Sequence, residues 1–301
     1  MHYVESGDGP PVVLLHGFPE TWFAWRHQIP ALAARYRVVA HDLRGYGETE
    51  KPASGYDKRT MARDVRELMR QLGFEKAPIV GHDRGARVAT RFAKDHPEAI
   101  DRLVVMDNIP TRVIFERMDA TVARAHWWFL FSTVPDLPEA LIAGREEIWL
   151  RTILSGWCDN PELFRPEEIA AYVAACSRPG ALRGAFDDYR AGREDVAQDE
   201  QDRDTPIRCP TLALWGRGVR GRRQDVGLPR DLGRDGRARR VLLDTRLRPP
   251  PARGGTGARQ PRTPPVPGAL GPDARAGALS RRARTRCGGR DPQGDGTVGR
   301  R

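Results

Sequence analysis

The stretch Gly81-His82-Asp83-Arg84-Gly85-Ala86-Arg87 constrains the fold more than any other part of the chain. An apolar strand is predicted over Ala77–Val80, directly before it, and a helix from about Gly85 to Lys94. A chain that turns from strand to helix in so few residues needs room on both sides of the bend. Gly81 and Gly85 flank Asp83 two residues away on either side and supply that room. The bend itself carries a carboxylate, with one guanidinium directly after it and another a helical turn on. A carboxylate with two guanidiniums close behind it suits attack on carbon in an anionic substrate.

The residues around this bend read as a layered α/β chain. Val12–Leu15 is a buried run ending in His16-Gly17-Phe18-Pro19, and Arg37–Ala40 leads into Asp42-Leu43-Arg44-Gly45-Tyr46-Gly47. Such continuous apolar runs, each entering a glycine-punctuated turn, are the mark of parallel strands covered on both faces. Met61, Val65, Leu68, Met69 and Leu72 share one helical face, with Gly73 as the stop. Leu103–Met106 is the next strand and finishes at Asp107; Ile29–Ala34 reads as a short helix. Strands alternating with helices over short links imply a mostly parallel sheet. Only Met1–Glu5 precede the first buried run, so the sheet is expected to be truncated at the N-terminus.

After Pro110 the texture becomes helical, broken by Pro135, Pro138, Pro161 and Pro166, until Thr211–Trp215 returns to the strand pattern. The expected organisation is a core over 1–110, a helical cap over 111–204, a return to the core over 205–216, and a distinct tail over 217–301. Composition sets the tail apart. It holds 22 Arg and 7 Asp with no Lys or Glu, which leaves 28 basic and 33 acidic residues before it. The net charge of +10 therefore belongs to the tail, and the body is mildly acidic. The tail has no Phe, Tyr, Trp, Met, Ile, Asn or His and is rich in Gly, Pro and Ala, a composition expected to be disordered. A nucleic-acid-binding arm is the rival reading, weakened by the lack of lysine, of aromatic residues and of RGG-type repeats. No apolar run has the length of a membrane span. Cys158, Cys176, Cys209 and Cys287 lack paired or metal-ligand spacing, which fits a reduced, cytoplasmic protein without a structural metal.

Each chemical reading has a plainer competitor. Asp83 could cap its helix, since Asp is a good N-cap. As a nucleophile it needs no base for its first step, because the carboxylate is ionised at neutral pH. Arg84 and Arg87 could be solvated helix charges or pair with the cap. Their place in the first turn opposes the helix dipole, however, and guanidinium forks fit a substrate carboxylate. Asp107 could cap the segment that follows it, or orient a catalytic histidine from the end of its strand. The aromatic residues His126, Trp127, Trp128 and Tyr189 would by themselves be cap core.

The bend is identified as the nucleophile elbow of the α/β-hydrolase fold, with the usual serine replaced by aspartate. His16-Gly17-Phe18-Pro19-Glu20, the Asp42–Gly47 loop, the elbow, Asp107-Asn108-Ile109-Pro110-Thr111, His126-Trp127 and Asp188-Tyr189-Arg190-Ala191-Gly192 together resemble the haloacetate (fluoroacetate) dehalogenases over residues 2–216. Related epoxide hydrolases and haloalkane dehalogenases usually carry Trp where this chain has Arg84. The resemblance implies that Asp83 attacks the halogen-bearing carbon of a small anionic substrate while Arg84 and Arg87 hold the carboxylate. It implies a halide pocket of His126, Trp127 and Tyr189, oxyanion N–H groups from Phe18 and Arg84, and Asp107 as the orienting acid. It implies no cofactor, metal, nucleic acid or membrane, and leaves room for a homodimer. Epoxide opening by the same aspartate, or an inactive homologue, are the alternatives.

The expected catalytic histidine is missing. The histidines are His2, His16, His27, His41, His82, His96 and His126, and none follows the cap. A frameshift in GC-rich DNA is the expected cause. Read from the second base of each codon, Arg248–Thr256 is compatible with the string G-H-H-L-P-E-E-A-P, and Gly257–Gly268 with E-R-A-N-H-A-L-L-R-F-L-G. The histidine codon would then straddle Pro249 and Pro250.

Overall fold

Alternation along the strands divides the core between two faces of one sheet. Val12, Leu14, Val38 and Ala40 pack with Trp25 on one face. Val13, Leu15 and Val39, their neighbours in sequence, join the main core on the other. Successive side chains of a strand point to opposite faces, so both faces of these strands must be covered. The computed structural model describes residues 1–158, 160–215 and 238–240.

The strands among the described residues are β1 (Tyr3–Ser6), β2 (Pro11–Leu15), β3 (Arg37–His41), β4 (Ala77–His82), β5 (Ile100–Met106), β6 (Thr211–Leu214) and β7 (Ala238–Arg240). They form a sheet in the order β1-β3-β2-β4-β5-β6-β7. β1 runs antiparallel to β3, and every other pairing is parallel. Two helices that follow strands belong to the main core face: α2 (Lys58–Gln71) buries Met61, Val65 and Met69, and α3 (Arg84–Asp95) buries Val88 and Phe92. The short α1 (Gln28–Ala33) supplies Ile29 and Leu32 to the opposite face. This is the α/β-hydrolase arrangement expected from the sequence.

Between β5 and β6 the chain is helical. The segments are α4 (Thr111–Glu116), α5 (Ala120–Ala125), α6 (Trp127–Thr133), α7 (Leu137–Ile142), α8 (Glu146–Trp157), α9 (Pro166–Cys176), α10 (Ala181–Arg190) and α11 (Gly192–Gln201). Their buried residues, among them Trp128, Leu150, Tyr172 and Phe186, continue the main core. No helix among the described residues is long and apolar enough to cross a membrane. Cys158, Cys176 and Cys209 are free, and Cys287 lies outside the described residues.

Residues 238–240 depart from the expectation that the tail over 217–301 is disordered: they form β7, which pairs in parallel with β6, Leu212 opposite Arg239. An edge strand needs only its backbone groups for pairing and tolerates a charged sequence, which composition alone does not reveal. The expected frameshift and the reading of the tail as disordered otherwise fall outside the described residues.

The elbow requires its glycines. A Cβ on Gly85 would lie 2.4 Å from the His16 carbonyl oxygen and 2.5 Å from that of Leu15, and one on Gly81 2.6 Å from Ala86 Cα. Backbone cannot yield as a flexible side chain can. Gly85→Ala is expected to destabilise the protein by about 1–3 kcal/mol, the usual cost of overpacking, read as a lower midpoint in urea unfolding. Gly73→Ala provides the contrast: no atom lies within 4 Å, so only the strain of its φ of +76° applies.

Candidate active site

Three adjacent parallel strands are stitched together at their C-terminal ends. The Asp83 N–H, just past β4, donates to the Met106 carbonyl at 3.0 Å, and the Asp107 N–H, just past β5, donates to the Leu214 carbonyl at 2.9 Å. Both aspartates have positive φ, 47° and 43°. A non-glycine residue in such a conformation costs on the order of 1–3 kcal/mol and persists only where its surroundings enforce it. The strand ends, where ligands collect in open α/β sheets, thus present two strained aspartates.

Asp83 precedes α3 in the N-cap position, but its side chain makes no capping hydrogen bond. Oδ1 instead accepts from the Phe18 N–H at 3.0 Å, across the turn after β2. That approach depends on Gly17, where a Cβ would come within 2.7 Å of Asp83 Cβ. The turn is anchored on both sides. His16, fully buried, places Nδ1 2.8 Å from the Gly17 carbonyl, and its Nε2 accepts from the Leu43 N–H at 3.0 Å. Those contacts assign the proton to Nδ1, and burial lowers the pKa, so His16 is a neutral structural group.

Glu20 provides the second anchor. Its Oε2 accepts from the Gly17 N–H at 3.0 Å and lies 2.9 Å from His82 Nδ1. Burial by itself would push the His82 pKa down. The charge and hydrogen bond of Glu20, helped by Asp83 and Asp107, outweigh it and raise the pKa to about 9. His82 is therefore an imidazolium at neutral pH beside the elbow carboxylate, and no base. The sequence places Glu20 and His82 inside recognisable motifs but does not reveal their role, because nothing in one sequence shows that two loops 62 residues apart meet.

The two arginines have different surroundings. Arg84, 1% exposed, donates from Nε to Asp188 Oδ2 at 2.9 Å and from Nη2 to Asp188 Oδ1, with its guanidinium carbon 4.3 Å from the centre of the Tyr189 ring. Arg87, 6% exposed, donates from Nε to Asn108 Oδ1 at 3.3 Å and from Nη1 to Thr111 Oγ1 at 3.0 Å, and lies 5.0 Å from the Phe129 ring centre. Among the described residues Arg87 forms no salt bridge. Burial and the neighbouring Arg84 lower its pKa, but an arginine retains its charge. A buried cation with only neutral partners is costly, and its natural complement is an anion.

Tyr189 is 2% exposed, and its hydroxyl has no hydrogen-bond partner among the described residues. Its ring meets Phe18 and Phe129 edge-on at 5.0 Å each. Burial first, then the charge of Asp83, holds the phenol well above its usual pKa, so it is an unused donor next to the elbow. Asp83, Phe18, Arg84, Arg87 and Tyr189 thus come together. Asp107 lies close enough to contribute to the charge state of His82. His126 is buried with Nδ1 3.1 Å from the Val122 carbonyl, and packs on Trp128 and Phe129. Trp127 is 43% exposed and meets Trp128 and Trp149 edge-on. These two belong to an aromatic layer that reaches Phe18 through Trp149, at 6.4 Å between ring centres. No cluster of potential metal ligands occurs among the described residues.

Residues 10–217 match the family model described as alpha/beta hydrolase fold, and the chain belongs to that family. The fluoroacetate dehalogenase of Burkholderia sp is 42% identical over 71% of this chain and 73% of its own. The soluble epoxide hydrolase of Corynebacterium sp. (strain C12) is 40% identical over 72% of this chain and 77% of its own. Among solved structures, the ligand-free epoxide hydrolase CorEH superposes with a TM-score of 0.71 at 37% identity, covering 81% of this chain and 86% of that one. The haloacetate dehalogenases and epoxide hydrolases are therefore about equally near, which revises the narrower resemblance drawn from the motifs.

The Glu20–His82 pair makes a pH prediction. A raised pKa means that the pair's contribution to stability is fully present below the ordinary value of 6.5 and is lost as pH rises through about 9. The His82 ring, followed by NMR, is expected to titrate near 9 in the unmodified protein. In Glu20→Gln it should titrate at or below about 6.5, the ordinary histidine value, and the alkaline loss of stability should shrink with it.

Proposed function

We propose that this protein displaces halide from the carbon next to a carboxylate, in the manner of a haloacetate dehalogenase. The observation that carries the reading is Arg87, a buried guanidinium with only neutral partners, one helical turn behind Asp83. A substrate carboxylate beside it would place the α-carbon toward the elbow. Because Phe18 N–H already holds Oδ1 of Asp83, Oδ2 is the attacking oxygen. The new C–O bond forms as the C–halogen bond breaks, and the halide leaves with the electron pair. The Tyr189 hydroxyl, unpartnered in the structure, is the donor available to that halide. In this reading His126 and Trp127 would share that role. Water added to the ester carbonyl would put negative charge on Oδ1, where the Phe18 N–H, and in this reading that of Arg84, stabilise it.

That second step needs a base. His16 is neutral but held at both nitrogens, His82 is protonated at neutral pH, and the sequence has no histidine after His126. The chain as written is expected to form the ester and clear it slowly. A shifted reading frame in the tail remains our explanation. The family match ends at residue 217, where the arginine-rich composition begins. Nucleotide sequence across codons 210–270 tests it, and an uninterrupted frame in independent isolates refutes it.

Epoxide opening is the second reading. The same Tyr189 hydroxyl could donate to an epoxide oxygen, and the 40% identity to the Corynebacterium enzyme weighs as much as that to the dehalogenase. Halide assays separate the two. Chloroacetate is expected to release a burst of at most one chloride per protein, absent in Asp83→Asn. Arg87→Met should raise the chloroacetate concentration needed for a half-maximal burst rate by at least about tenfold, as expected when a charge-assisted contact of ~1.5–3 kcal/mol is lost. A neutral epoxide that alkylates Asp83 faster than chloroacetate, and indifferently to Arg87→Met, would favour the second reading.

A further inference from the structure

Asp188, on α10, is fully buried and uses both carboxylate oxygens. Oδ2 accepts from Arg84 Nε at 2.9 Å and from the Tyr46 hydroxyl at 2.8 Å; Oδ1 accepts from Arg84 Nη2 and Lys58 Nζ. The Nε–Nη2 edge of Arg84, the edge that makes two parallel bonds to a carboxylate, is therefore occupied from within the protein. Lys58, at the start of α2 and 3% exposed, also donates to the Tyr56 carbonyl at 3.1 Å and lies 3.4 Å from Asp195 Oδ2. Lys58, Arg87 and Asp195 border one small cavity, so these charges face each other across a short distance.

Lys58 and Arg84 are thus paired with Asp188, and Lys58 with Asp195 as well, before any substrate enters. Arg87, among the described residues, forms no salt bridge and keeps Asn108 and Thr111 as its partners. We propose that Asp188 and Lys58 are positioning residues that set the anion capacity of the site. Asp188 ties up Arg84 and holds the site to the equivalent of one free guanidinium, matched to a monocarboxylate and unfavourable to a dianion. Lys58 offsets part of the Asp188 charge and prevents it from cancelling Arg87 as well. The inference rests on the reading that Arg87 receives a substrate carboxylate, and adds which carboxylates the site admits.

The two residues make opposite predictions, which separates electrostatics from damage to the fold. The full chain and its variants are titrated calorimetrically with acetate and with malonate, neither of which carries a leaving group. Asp188→Asn should bind acetate about tenfold more tightly and Lys58→Gln about tenfold more weakly, the scale of one unit charge acting at an effective dielectric constant of ~20. The double variant should return to the original affinity. The preference for acetate over malonate should shrink in Asp188→Asn and grow in Lys58→Gln. If Asp188→Asn does not fold, tighter binding by the double variant than by Lys58→Gln isolates the same charge. Weaker binding in both single variants, unchanged binding in both, or no acetate binding by any of the proteins would overturn the inference. Acetate binding as predicted, with Asp83 untouched by chloroacetate, would instead defeat the dehalogenase reading and leave this inference standing.

Discussion

The hydrogen bond from the Phe18 N–H to Asp83 Oδ1 joins the two loops on which the site is built. It draws the aspartate side chain away from its own helix and fixes which oxygen remains for other chemistry. It requires Gly17 for close approach, His16 to hold the loop from behind, and Glu20 to tie that loop to His82 at the elbow. The strained φ at Asp83 is stable because all of these contacts act on adjacent residues. A reactive group held in place before substrate arrives need not be ordered during the reaction, and this is how a fixed scaffold lowers a barrier.

Around that bond the protein buries an unusual amount of charge. A buried ion is tolerable when it is paired and hydrogen-bonded, and costly otherwise. Arg84, Lys58 and Asp188 satisfy one another, and His82 and Glu20 do likewise. Arg87 is the exception, and Tyr189 is its neutral counterpart, a buried hydroxyl without a partner. A buried group without a partner calls for an explanation, and in the proposed function the substrate supplies one for both. In that reading a cation and a hydroxyl donor near a fixed carboxylate receive a small molecule with an anionic end and a leaving atom that accepts hydrogen bonds.

Much of this was legible in the sequence, for physical reasons. The elbow, the β2 turn and the helical face of Met61, Val65, Leu68 and Met69 are local patterns whose meaning does not depend on distant residues. The end of each strand could be read because glycine and proline punctuate it. Contacts between distant segments could not be read. That Asp188 would reach Arg84, 104 residues away, or that Glu20 would charge His82, follows from the packing of the helical segment and the loops onto the sheet. Trp127 is of the same kind: that it would pack edge-on against Trp149 follows from how α6 meets α8. β7 was invisible because backbone pairing at a sheet edge places little demand on composition.

The central claim is that Asp83 is a nucleophile toward carbon bearing a halogen and a neighbouring carboxylate. The most direct measurement is intact-protein mass spectrometry after incubation with chloroacetate, followed by peptide mapping. The account predicts one carboxymethyl group per chain, located on Asp83 and persisting after the reagent is removed. An unmodified Asp83, or a label on a cysteine with Asp83 untouched, would contradict it.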